Sequence, residues 1–214
     1  MTDEQERIQE VIRLLEKAYP DAPPTYLDHT SPFEMMIATI LSAHTTDKCV
    51  NQVTRTLFAT YPSPETMMKA PIKRISDIIR PCGTYNRKSV FVKNASRDLV
   101  GRFGGQVPKT MDELTSLPGI SRKTANVILS VAFGINEGIV VDTHIGRVTQ
   151  RLAFSKQNTP EKIEQELMRK IPREKWYEYA RLIGAHGRLT CRAKKPMCST
   201  CAVRHLCPSA DMFE

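Results

Sequence analysis

LPGISRKTANVILSVAFG, residues 117–134, is the stretch on which the fold class turns. From Ser121 to Phe133 apolar residues recur at helical spacing, and Gly134 follows as a residue suited to the left-handed turn that closes helices. The first residues cannot belong to that helix. Pro118 has no amide donor, and Gly119 permits a turn that other residues resist. Just upstream, Thr110-x-x-Glu113 has the pattern of a capped helical turn. The segment therefore predicts helix, hairpin, helix. The first amides of the second helix have no partner within it and point outward, which makes an anion site. Through Leu117, Gly119 and Ser121 such a unit can hold a DNA phosphate by its backbone, whatever the base sequence. An ordinary helix–helix turn can also carry L-P-G-x, so this motif alone leaves the function undecided.

The flanking sequence is helical in the same way. Thr2-x-x-Gln5 has the form of a capping box, and Ile8, Val11, Ile12, Leu15 and Ala18 mark one apolar face before Tyr19-Pro20 and Pro23-Pro24 stop the helix. Ser31-Pro32-Phe33-Glu34 predicts a second capping box, with proline at the first helical position and Phe33, Met36, Ile37, Ile40 and Leu41 inward. Further helices are expected from about Asp47, at Ser63-Pro64, around Ile75 to Ile79, and from Asn86 to Phe103. Gly138 to Val141 reads as an extended linker. Beyond it, helices are expected from about Asp142, from Thr159-Pro160, and through Trp176 to Ile183. Strand alternation and solenoid repeats are missing from the pattern, so the expectation is an all-α protein with short connections.

Among the chain's 214 residues, Lys and Arg exceed Asp and Glu by 31 to 23, a net charge of +8 that suits an anionic partner such as nucleic acid. The polar, acidic start MTDEQERIQE does not resemble a signal peptide, and no apolar run has membrane-spanning length. An intracellular, cytoplasmic protein with no membrane partner is therefore expected, in a reducing compartment where a disulfide framework is out of place. Cys49 and Cys82 read as free, packing thiols.

The other four cysteines form the pattern Cys191-x6-Cys198-x2-Cys201-x5-Cys207. Four thiolates in so short a stretch suit either an iron–sulfur cluster or a zinc ion. Only Cys198 and Cys201 form the tight knuckle that zinc sites usually take twice. The longer outer spacings favour the larger inorganic core. From Tyr179 to Ala210 there is no acidic residue, while Arg181, Arg188, Arg192, Lys194, Lys195 and Arg204 stand in the same stretch. A basic loop of this kind suits phosphate binding, although a solvated basic face is commoner in general.

Taken with VDTHIGRV at residues 141–148, ILSAHTTD at 40–47 and the four cysteines, the 117–134 stretch closely resembles the endonuclease III family of DNA repair glycosylases, and the motifs follow the family's order. The resemblance implies two helical domains. A six-helix barrel domain over 24–135 would end in the helix–hairpin–helix, and 1–23 with 136–214 would form a discontinuous iron–sulfur cluster domain, with the active-site cleft between them. It implies a [4Fe-4S] cluster on Cys191, Cys198, Cys201 and Cys207, and DNA-backbone contact by Lys194 and Lys195. It also makes Lys123 and Asp142 the catalytic pair of a monomeric, bifunctional glycosylase and AP lyase that excises oxidised pyrimidines from damaged duplex DNA.

The residue types fit that chemistry. A carboxylate can stabilise the oxocarbenium-like transition state of glycosidic cleavage, and a neutral amine can attack C1′ to form a Schiff base. Two positions depart from the family: His44 stands where glutamine is common, and Thr84 in CGTYN where leucine is common. In the family these loops fill the gap left by the rotated nucleotide, so lesion preference and orphan-base recognition stay open. Adenine glycosylases of the superfamily lack the hairpin lysine and use a glutamate on the second helix; Met35 to Thr46 holds no glutamate. A mismatch thymine or uracil glycosylase, which often lacks the lysine, and a non-catalytic iron–sulfur DNA-binding or redox protein are the alternatives.

Overall fold

The computed structural model of the chain describes residues 2–213. Among them the regular structure is helical, with no strand. Among the described residues no helix is long and apolar enough to cross a membrane. The chain divides into two compact units, one formed by Thr25–Glu137 and a discontinuous one formed by Met1–Pro24 with Gly138–Glu214.

The central unit holds α2 (Pro32–Ser42), α3 (Asp47–Thr60), α4 (Pro64–Lys69), α5 (Ile72–Ile78), α6 (Tyr85–Phe103), the five-residue α7 (Met111–Thr115) and α8 (Arg122–Phe133). With α7 counted into the hairpin, six helices remain. Helix α2 is buried from Phe33 to Leu41 with the single exception of Glu34, and it packs on α3, α6 and α8. Met35, Ala38 and Thr39 are buried along with the residues of the expected stripe. A helix apolar all round belongs at the centre of a unit. Ser31 caps α2 as expected, but the reciprocal half of the predicted box does not form. Glu34 Oε2 accepts instead from the amide (2.6 Å) and hydroxyl (2.8 Å) of Thr30, one residue further back.

The discontinuous unit holds α1 (Asp3–Ala18), α9 (Thr143–Arg151), α10 (Pro160–Lys170) and α11 (Trp176–Leu189), then short 3-10 turns through the last cysteines. The Thr2–Gln5 capping box closes as the sequence predicts. Helix α11 packs on both α1 and α9. Gly187 allows the second contact, since a Cβ there would lie 3.0 Å from His144 Cβ and 3.2 Å from the His144 carbonyl. The fully buried Tyr179 bonds its hydroxyl to Thr149 Oγ1 at 2.8 Å. Arg7 of α1 donates to the carbonyls of Leu152 (2.7 Å) and Leu206 (3.0 Å), so the first helix secures the last segment of the chain.

Candidate functional site

The hairpin joins α7 to α8. Thr110 caps α7 by accepting from the Glu113 amide. Leu117 and Ile120 are buried, and the Ile120 amide closes the turn on the Leu117 carbonyl at 3.2 Å. With its side chain buried, Leu117 offers a ligand only its backbone. Gly119 has φ +82°, and a Cβ there would lie 2.9 Å from Cβ, Cγ and Cδ2 of Phe91 on α6. Conformation and space both demand glycine. Ser121 Oγ accepts from the Thr124 amide at 3.3 Å, which sets the start of α8. Lys123, exposed, is the second residue of that helix.

Asp142 lies in the discontinuous unit as the N-cap of α9. Its Oδ1 accepts from the amides of His144 and Ile145, both at 2.8 Å. Its Oδ2 faces Arg188 Nη2 of α11 at 3.4 Å, and both side chains are about a quarter exposed, at 22% and 24%. One oxygen is thus held by the backbone, and the other shares its charge with a cation. The sequence offers Arg188 only as one of several cations in a basic stretch, because a partner 46 residues away leaves no local signal.

Cys191, Cys198, Cys201 and Cys207 line one pocket with Arg151, His186 and apolar side chains including Val148, Leu152 and Val203. None of the four is in a disulfide. Two arginines of α9 fix the loop's backbone. Arg147 donates to the carbonyls of Gly187 (2.7 Å) and Cys191 (3.0 Å from Nη2), while Arg151 donates to those of Arg192 (2.8 Å) and Ala193 (3.1 Å). Arg151 Nη1 also lies 3.3 Å from Cys191 Sγ. Burial pushes the Cys201 and Cys207 thiols up, and the neighbouring cysteines add to this. His186 Nε2 stands 3.7 Å from Cys201 Sγ, with Tyr19 OH on its Nδ1 at 2.8 Å, and burial pulls the imidazole down to about 4. Among the described residues no group of three or more His, Cys, Asp or Glu side chains closes to single-ion geometry. The four sulfurs are arranged about a pocket. Lys194 and Lys195 are exposed between the first two, and Lys195 has φ 51°.

His44 and Thr84 are exposed residues on two loops of the central unit, and both adopt left-handed backbone, at φ 54° and 56°. Lys88 is 3% exposed and donates to Thr45 Oγ1 at 2.7 Å. The sequence gives no sign of this contact.

The chain is similar to known proteins along most of its length. Residues 37–173 match the HhH-GPD superfamily of base excision DNA repair proteins. The chain is 42% identical to the endonuclease III of Synechocystis over 99% of its own length and 96% of that protein. It is 38% identical to the Escherichia coli K12 protein of the same name, covering 86% and 87%. Among solved structures it is similar to a trapped endonuclease III–DNA covalent intermediate, with TM-score 0.91, 38% identity and 99% coverage of both chains. A non-covalent endonuclease III–DNA complex gives 0.92 at 38% identity, covering 99% and 98%. A thermostable thymine-DNA glycosylase gives 0.84 at 21% identity, covering 97% and 98%, a likeness of fold.

Proposed function

The chain belongs to the endonuclease III family, within the HhH-GPD superfamily of base excision DNA repair proteins, and from that premise we propose that Lys123 and Asp142 excise oxidised pyrimidines and nick the resulting abasic site. Lys123 supplies the nucleophile. Its Nζ lone pair bonds to C1′ as the bond from C1′ to the base breaks, and the base leaves with a proton. The sugar ring opens to an imine between Lys123 and C1′. Loss of a C2′ proton then expels the 3′ phosphate as the C3′–O bond breaks. Asp142 stabilises the positive charge that develops on the sugar and assists the proton transfers. Its Oδ2 is the oxygen left for this work, since Oδ1 is held by two amides.

The hairpin amides of Gly119 and of the start of α8 hold a phosphate of the damaged duplex, while the Ile120 amide closes the turn. Lys194 and Lys195 add contacts to the backbone, and His44 and Thr84 occupy the gap left by the rotated nucleotide. The four cysteines carry a [4Fe-4S] cluster. The all-thiol donor set lines one pocket with Arg151, whose cation fits the negative charge of such a cluster. The cluster, when bound, supplies a rigid scaffold for the Lys194–Lys195 loop.

The observation that carries the reading is Lys123 exposed in the first turn of the hairpin's second helix. Its support is an overall match to an endonuclease III trapped covalently on DNA. Borohydride reduces an imine to a stable amine. The wild-type protein should therefore be trapped on duplexes containing thymine glycol, and Lys123→Gln should bind the same duplex without forming an adduct or nicking it. An adduct formed by Lys123→Gln at the wild-type rate would assign the nucleophile to another amine.

A further inference from the structure

Lys88 is a buried lysine with no role in the chemistry above. Burial depresses its pKa, and the nearby Cys82 and Cys49 act the other way. A methionine would fill the same space without the cost of desolvating an ammonium. What the lysine adds is a donor. Its Nζ reaches Thr45 Oγ1 at 2.7 Å, and that hydroxyl donates onward to the Ala43 carbonyl at 3.4 Å. The Thr45 amide closes on the Ser42 carbonyl at 3.0 Å. The bond from Thr45 to Ala43 spans His44, so the lysine secures the turn that holds His44 in left-handed backbone.

The second loop meets the same turn of helix through the main chain, by a bond that Lys88→Met would keep, so the lysine side chain acts on Thr84 only through the His44 loop. The Lys88 amide donates to the Thr84 carbonyl at 3.0 Å, in the first turn of α6, where Thr84 is the N-cap at φ 56°. A β-branched residue in that region is a marked outlier, and such strain persists only where the surroundings enforce it. The two loops also touch. A Cβ at Gly83 would be 3.6 Å from the His44 carbonyl. One turn along α6, at three residues' spacing, Phe91 packs against Gly119 of the hairpin. A single helix therefore touches both the hairpin and the two loops that hold the exposed residues His44 and Thr84.

We propose that Lys88 is a positioning residue that locks His44 and Thr84 into one rigid probing pair, set in register with the hairpin by α6. It rests on the reading of His44 and Thr84 as residues that enter the gap in damaged DNA. The clamp acts on recognition of the lesion and leaves the amine chemistry alone.

The test is a mutant cycle in the full-length protein, using a thymine glycol duplex with 2-aminopurine as the opposing base. Lys88→Met keeps the buried volume and removes the donor. It should raise KM about tenfold with kcat within about twofold, and reduce the 2-aminopurine fluorescence change on binding. Thr45→Val, at a half-buried position, should do the same and carries the test if Lys88→Met does not fold. In a His44→Ala background Lys88→Met should add nothing. If the two effects multiply, or if Lys88→Met lowers the melting temperature without changing KM or fluorescence, the lysine only stabilises the fold and the proposal fails. If the wild type neither excises nor is trapped on oxidised pyrimidines, the glycosylase reading itself fails. Wild-type excision that His44→Ala leaves unchanged would sink the clamp alone.

Discussion

Asp142→Asn and Asp142→Ala should separate what this carboxylate does for the fold from what it does for the reaction. Alanine removes the acceptor for the His144 and Ile145 amides, a loss of about 0.5–2 kcal/mol for an N-cap. It also removes a negative charge from the start of α9, worth about 0.3–1 kcal/mol. The 3.4 Å pairing with the part-exposed Arg188 adds about 0.2–1 kcal/mol. Asparagine caps almost as well as aspartate, so it should lose only the last two contributions. The alanine variant should therefore be less stable than the asparagine variant by about 1 kcal/mol. In a chain of this size that is a gap of about 2–4 °C in melting temperature, measurable by circular dichroism. In single-turnover assays on thymine glycol duplexes both variants should excise the base about 100- to 10,000-fold more slowly. On a preformed abasic site both should lose less, since no base remains to be expelled. Equal melting temperatures for the two variants would refute the capping role of Oδ1. Wild-type excision by Asp142→Asn would refute the chemical role.

Gly119→Ala should destabilise the central unit by about 2 kcal/mol, since left-handed backbone alone costs an L-residue about 1–2 kcal/mol and Phe91 must also give way. It should weaken binding to damaged and undamaged duplex alike, and wild-type affinity measured by fluorescence anisotropy would count against the hairpin as the phosphate site. Purified protein should be yellow-brown with about four irons per chain, and Cys198→Ser should lower the iron content and the melting temperature; a colourless protein with one zinc would overturn the cluster assignment. Changing both Lys194 and Lys195 to Glu should weaken binding to every sequence by a similar factor and flatten the salt dependence by about one unit of slope for each phosphate no longer neutralised, whereas an unchanged slope would place the phosphates elsewhere.

Local features of the fold were legible because their causes are local. Thr2, Ser31, Ser63, Thr110, Ser121 and Thr159 each cap the helix that follows them, with a serine or threonine oxygen accepting an amide three residues on. The hairpin, Lys123, Asp142 and the cysteine spacing were likewise readable as motifs. What the sequence could not give is the set of partners that hold these residues. Arg188 meets Asp142 across 46 residues, Lys88 meets Thr45 across 43, and Arg151 meets Cys191 across 40. Periodicity reports which face of a helix is buried and says nothing of what that face meets. The left-handed backbone at His44 and Thr84 was also hidden, because histidine signals a positive φ only weakly and threonine not at all.

The attachment of α1 to a segment 199 residues downstream imposes an order of events on biosynthesis. Ile8, Val11, Ile12 and Leu15 are made well before the surface they cover, which lies on segments beyond Gly138, and Arg7 waits for the Leu206 carbonyl. At about 5–20 residues per second, that wait lasts on the order of 10–40 s, during which the whole of Thr25–Glu137 emerges with a core of its own. The nascent first helix is then an amphipathic segment without its partner, a natural client for a chaperone. The thiols that would receive iron emerge after both units' α-helices, so loading the cluster would follow the folding of either unit and would fasten α1 to the cysteine-bearing segment.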